Sequence, residues 1–164
     1  MAPPPFGRWG ARGYDGLGHL GGLILAVMTL AVFVQVLGRF IGRWAIDGLD
    51  EVPRYLFVWL VMLGAAAAMH RGEHTALHFF RDRLPPRGRA LAGVVTHGAA
   101  LVLFLSLIRS SLVLVPNAQL QTSAGLGLPL GYVYAAVPAG AALIALVLAW
   151  NLLAALRALW QKPS

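Results

Sequence analysis

An apolar run of membrane length recurs four times along this chain, at about 20–40, 52–69, 91–115 and 130–156. Roughly 20 apolar residues rising 1.5 Å each match the ~30 Å hydrocarbon core of a bilayer, so lipid is the solvent these runs are built for. Lipid offers no hydrogen bonds, so each run must satisfy its own backbone, and the runs exceed the ~10-residue strands of a membrane barrel. The expected fold is therefore all-α, a single membrane domain over residues 1–164 with four transmembrane helices and no visible internal repeat. Composition agrees: 59% of residues are hydrophobic and 12% charged, against about 25% charged in a soluble domain. Cysteine is absent, which excludes disulfides and cysteine-ligated metal.

The first run follows Arg8 and Arg12, as a signal peptide would follow its basic segment. It is too long for a signal-peptide core and no small-residue cleavage site follows it, so it reads as a retained span. The Pro-, Gly- and Arg-rich residues 1–14 before it are expected to be frayed or interfacial.

Charge gives the chain an inside and an outside. Arg8 and Arg12 in the N-terminal tail, Arg71, Arg81, Arg83, Arg87 and Arg89 in the middle loop, and Arg157 and Lys162 at the C-terminal end hold 9 of the 13 basic residues. These three regions share one face of a four-span protein, and the positive-inside rule makes that face, with both termini, cytoplasmic. The opposite face has Arg39, Arg43 and Arg54, and its second loop, 116–129, carries no charge. The net charge of +7 is thus explained by lipid headgroups and orientation rather than by nucleic acid.

Asp50, Glu51 and Arg54 cluster at the start of the second run. Carboxylates are favoured at a helix N-terminus, and Arg54 stands at i+4 from Asp50 and i+3 from Glu51, the spacing of an ion pair on one helical face. Pro53 suits a first turn. The cluster reads either as a capped, snorkelled helix end or as a docking cluster for a partner protein on the outer side. Arg109 lies about 18 residues into the third run, which puts it about 27 Å along and near the outer interface. It reads as a snorkelling side chain pairing with Asp47, Asp50 or Glu51, or as an interhelical or intersubunit ion pair. Gln35 is a candidate hydrogen-bonding residue between spans.

Residues 74–84 form a basic amphipathic segment ending at Pro85-Pro86. Leu77, Phe80 and Leu84 recur at i, i+3 and i+7, with Arg81 and Arg83 beside them, so this segment is expected to lie in the headgroup region as a lipid anchor. His70, His74 and His78 recur at i, i+4 and i+8, but Gly72 interrupts the helix that would align them for a metal, and Glu73 is the one carboxylate close by. His19, His70 and His97 all fall near the cytoplasmic ends of their runs, and a bis-histidine haem between two of them is the alternative reading, an electron-transfer anchor. No histidine lies deep in a run, where a buried haem would want it. No catalytic constellation is visible, so the reading is of a non-enzymatic chain without cofactor.

Small residues at Gly18 and Gly22, Gly38 and Gly42, and from Gly64 to Ala68 allow close helix packing. Pro129 falls near the start of the fourth run, and Pro138 inside it is expected to kink the helix.

Taken in order, DEVPRYLFVWLVMLGAA (50–66), RGEH (71–74), DRLPPRGR (82–89) and TSAGLGLPLGYVYAAVPAG (122–140) resemble the small, DctQ-like membrane subunit of tripartite ATP-independent periplasmic (TRAP) transporters, over about 17–156. One departure is His78, where that family often has a more hydrophobic or basic residue. The resemblance implies a bacterial inner-membrane location and two partners, a large multispan transport subunit and a periplasmic substrate-binding protein. It also implies a role as a fixed scaffold in sodium-coupled uptake of organic acids or similar solutes, with Asp50, Glu51, Arg54 and Arg109 as candidate partner contacts.

Overall fold

A computed structural model of the chain describes residues 7–42, 47–71 and 86–160. Helix α1 spans Gly7–Leu37 and ends in a π-helical turn, Gly38–Gly42; α2 spans Glu51–Arg71, α3 Pro86–Gln119, α4 Gly131–Tyr134 and α5 Ala136–Trp160. Among the described residues there is no strand, only an isolated bridge between Thr122 and Pro129. Four segments are long and apolar enough to cross a membrane: Gly16–Gly42, Glu51–Arg71, Gly88–Gln119 and Gly131–Arg157. The all-α architecture with four spans is therefore present, and the differences lie at the ends of the elements.

The first difference is at the N-terminus, where helix begins at Gly7 although 1–14 read as frayed or interfacial. The reason is Tyr14. Its ring stacks on His70 of α2 at 4.2 Å and 6°, and its hydroxyl donates to the Leu143 carbonyl of α5 at 3.0 Å. This one side chain ties the start of α1 to two other spans. Around it sits the core: Tyr14, Ala66, Ile144, Val147 and Leu148, with Leu17, Met69, Leu101 and Phe104 packed against them.

The second difference concerns proline. Helix α3 continues through Pro116 to Gln119, with the Asn117 side chain donating to the Val113 carbonyl at 3.0 Å. Pro138 interrupts the fourth span as expected: the backbone stays helical through Ala135 (φ −62°, ψ −20°), and the bond that is lost is the one a proline cannot donate to the Tyr134 carbonyl. The fourth span divides at Ala135, which leaves Pro138 in the first turn of α5, where a missing N–H is tolerated.

The spans pack in the order α1, α2, α5, α3, with α4 touching both α2 and α3. Among the described residues α3 makes no close backbone approach to α1 or α2, so the four spans form an open row with α1 and α3 at its edges. Small residues set the closest crossings. A Cβ added to Gly140 of α5 would lie 2.6 Å from the Met62 Cβ of α2, and one added to Gly93 of α3 would lie 3.5 Å from the Ala155 Cβ of α5. Ala66 and Ala67, within the Gly64–Ala68 run, are buried as expected, whereas Gly22 and Gly64 face open space.

Gly140→Ala should push α2 from α5 and lower stability by about 1–3 kcal/mol, the usual penalty of overpacking. Gly22→Ala, with nothing within 4 Å of the new methyl, should leave the thermal unfolding midpoint in detergent unchanged or slightly raised. Equal midpoints for the two variants would contradict the α2–α5 crossing.

Candidate functional site

The loop before α2 and the loop between α3 and α4 are locked together at one end of the row. Residues 47–50 turn through Gly48, whose φ of +80° lies in the left-handed region that favours glycine. The Gly48 carbonyl accepts the Glu51 N–H at 3.0 Å, starting α2. The backbone of Gly48 packs directly on that of Gly125, and a side chain on either glycine would separate them.

The second loop is itself ordered. Ser123 N–H donates to the Leu128 carbonyl and Leu130 N–H to the Gln121 carbonyl, both at 2.9 Å. The Leu128 N–H donates to the Ser123 hydroxyl at 3.2 Å. These bonds close a tight turn and aim two successive amides at α2. Glu51 receives them: Oε1 accepts the Gly125 N–H at 3.0 Å and Oε2 the Leu126 N–H at 3.2 Å. The Ser123 and Tyr55 hydroxyls face the same carboxylate. Two consecutive amides converging on one anion form a backbone nest, and each hydrogen bond to a charged group is worth about 1.5–3 kcal/mol. About two turns further along α2, the Trp59 indole N–H donates to the Tyr132 carbonyl of α4 at 3.2 Å.

Each residue singled out in the sequence now has a place. Glu51 is 8% exposed, and its carboxylate is used inside the chain. Asp50 and Arg54 make the expected i, i+4 pair at 4.0 Å, with side chains 55% and 72% exposed; pairs this open contribute about 0–1 kcal/mol. Gln35 is half-buried on α1. Leu77, Phe80, Arg81, Arg83 and Leu84, with His74 and His78, lie outside the described residues. His70 lies flat against Tyr14 rather than against a second histidine, so the haem reading is not favoured.

Arg109 is where structure and sequence expectation part. Gly93 of α3 faces Ala155 of α5, and Gln119 faces Gly131. In that antiparallel register Arg109 lies level with Gly140, and Gly140 crosses Met62, the twelfth of the 21 residues of α2. Arg109 therefore sits near the middle depth of the row, not near its outer end. The reason is register: depth counted along α3 alone leaves out how α3 is offset against α5 and α5 against α2. Its side chain is exposed, and among the described residues no carboxylate pairs with it, Asp47, Asp50 and Glu51 included.

Comparison with known proteins follows the same outline. The family model for tripartite ATP-independent periplasmic transporters, DctQ component, matches residues 28–158. A protein of Haemophilus influenzae described as a TRAP transporter small permease protein is 31% identical over 131 residues, which is 79% of this chain and 81% of the relative. The sialic acid TRAP transporter small permease protein SiaQ of Vibrio cholerae is 33% identical over 49% of this chain and 53% of its own length. The isethionate TRAP transporter permease protein DctMQ of Oleidesulfovibrio alaskensis is 28% identical over 79% of this chain, a region that makes up 21% of that protein.

Sequence reasoning placed the charged cluster but missed the partners of Glu51, because Ser123, Gly125 and Leu126 lie more than 70 residues away. The glycines flanking an uncharged turn were the available signal. Glu51→Gln places an amide donor against one of two backbone donors. Hydrogen exchange at Gly125 and Leu126 should then speed up, and the thermal unfolding midpoint should fall. Asp50→Asn should change neither quantity measurably. Unaltered exchange in Glu51→Gln would contradict the nest.

Proposed function

The chain belongs to the DctQ-component family of tripartite ATP-independent periplasmic transporters, and on that footing we propose that it is a stationary, non-catalytic scaffold for the large transport subunit. The match over residues 28–158 carries this reading, because it takes in the second half of the first membrane segment and the other three whole. The family relation makes the chain a small permease subunit and a multi-pass membrane protein. Its role within the transporter is the proposal.

Physical features fit a static element. Short-range locks hold the row at both ends, Tyr14 on one side and Glu51 on the other. The remaining surface of the spans is mostly exposed leucine, valine and phenylalanine, including Leu23, Leu30, Phe33, Val102 and Leu112, which suits lipid or another subunit's helices. The DctMQ relative, in which a region like this chain is part of a larger permease, supports a lasting association with a large subunit. In this reading the complex sits in the bacterial inner membrane with both termini of the chain cytoplasmic, and 74–84 anchors that side in the headgroups. It supports sodium-coupled uptake of organic acids or similar solutes handed over by a periplasmic binding protein. Asp50 and Arg54, exposed beside the Glu51 nest, are the outer-face contacts, while Glu51 shapes the loop next to them.

The test is reconstitution of the large subunit with and without this chain, loaded by its binding protein under a sodium gradient. Uptake should require both membrane subunits and sodium, and a fluorescent protein fused after Ser164 should report a cytoplasmic C-terminus. Full uptake by the large subunit alone would contradict the scaffold role, and undiminished uptake with potassium in place of sodium would contradict the coupling. Charge reversal at Arg54 should weaken uptake several-fold without lowering the amount of this chain in the membrane.

A further inference from the structure

The four spans carry a single ionised group in their interior. From Gly16 to Gly38, from Tyr55 to Met69 and from Gly131 to Leu156 there is no Asp, Glu, Lys or Arg, and between Ala90 and Gln119 there is only Arg109. The structure places that residue level with the Gly140–Met62 crossing, halfway along α2. It stands on an edge helix, and its side chain points to the uncovered side, with Ser106 and Ser110 also exposed beside it. Ser111 faces the other way, 2% exposed, its hydroxyl donating to the Leu107 carbonyl at 2.8 Å.

Three features bear on what meets this face. An arginine level with the middle of α2 and ten residues, about 15 Å, short of the end of α3 has to stretch along its own helix to reach a headgroup layer, and an unpaired charge in hydrocarbon is strongly disfavoured. Of the carboxylates at that end of the chain, Glu51 is held by the Gly125 and Leu126 amides and Asp50 by Arg54, and exposed Asp47 forms no ion pair with Arg109. Finally, Ser106 and Ser110 are small, so a facing helix can approach closely around the guanidinium. The other edge contrasts with this one: α1 exposes Leu23, Leu30 and Phe33 and no charge along Gly16 to Gly38, a surface that lipid satisfies unaided.

We infer that the outward face of α3, centred on Arg109, is the seat of the large permease subunit, and that a transmembrane helix of that subunit presents a carboxylate to Arg109 at mid-membrane depth. The inference rests on the subunit reading above and adds the face and the charge. Complementarity selects this occupant. A second copy of this chain would bring another arginine or an uncharged span against Arg109, because the spans hold no acidic residue at that depth.

The experiment is co-purification of the large subunit with a tagged copy of this chain from membranes expressing both, for the wild type and for Arg109→Leu, Arg109→Glu and Arg109→Lys. Leucine at 109 would improve insertion into lipid, so the amount of this chain in the membrane reports folding separately from assembly. Recovery of the large subunit should fall at least about tenfold with leucine, equivalent to 1.4 kcal/mol of association free energy, and further with glutamate. Lysine should retain part of it. A glutamate-to-lysine or aspartate-to-lysine change on one helix of the large subunit should restore binding to Arg109→Glu. Recovery equal to wild type in Arg109→Leu, with this chain present at normal level, would overturn the inference, since the arginine would then face lipid. A Leu variant that loses self-association while still binding the large subunit would overturn it too. If the wild-type chain itself fails to co-purify with the large subunit, the subunit reading fails first.

Discussion

The packing at one end of the row depends on one carboxylate accepting two backbone amides. Glu51 sits at the first turn of α2, and the amides belong to a loop more than 70 residues later. Without that anion the exposed turn at 123–128 would leave the Gly125 and Leu126 amides with no partner within the chain. The glycine contact between Gly48 and Gly125 depends on the same arrangement, since it brings the two loops close enough for the carboxylate to reach. Through this clasp the α3–α5 pair is held on α2, and the row acquires its order.

That order has a consequence for how the chain meets its surroundings. A closed four-helix bundle would cover each helix on two sides, but here α1 and α3 are each covered on one. The two bare edges differ in chemistry. The α1 edge is uncharged from Gly16 to Gly38, with Arg39 only at its far end, while the α3 edge carries an arginine level with the middle of α2 and flanked by exposed serines. Lipid solvates the first without penalty. For the second, a translocon-scale cost of about 2.5–3.5 kcal/mol for an arginine at the centre of a span is large enough to favour a facing carboxylate over bare hydrocarbon. An asymmetric row of this kind is suited to joining a larger membrane protein along one side.

Much of this was legible in the sequence for a simple physical reason. Lipid demands long apolar helices, so four spans, their rough limits and the pairing of the first with the second could be read from hydropathy and loop length. The Asp50–Arg54 pair followed from helical spacing. Tertiary partners were not legible. Nothing local in GRWGARGYDG announces that Tyr14 will stack on His70 and bond Leu143, so the helix start at Gly7 was missed. The depth of Arg109 was misjudged because depth was counted along one span, whereas the packing register of α3 on α5 sets it. Pro138 marked a real discontinuity, which falls at Ala135, within the turn whose backbone bond the proline cannot make.

The claim that one edge of this row is a seat for a larger subunit is tested most directly by measuring what each edge touches. The chain has no cysteine, so single spin labels can be placed through Val102→Cys and Val113→Cys on α3 and through Leu23→Cys and Leu30→Cys on α1, all at exposed positions. Oxygen accessibility, which reports contact with lipid, should be high at all four sites in the isolated chain. On assembly with the large permease subunit it should fall several-fold at 102 and 113 and stay high at 23 and 30. Labels on α3 that remain as open to lipid in the assembled transporter as those on α1 would contradict it.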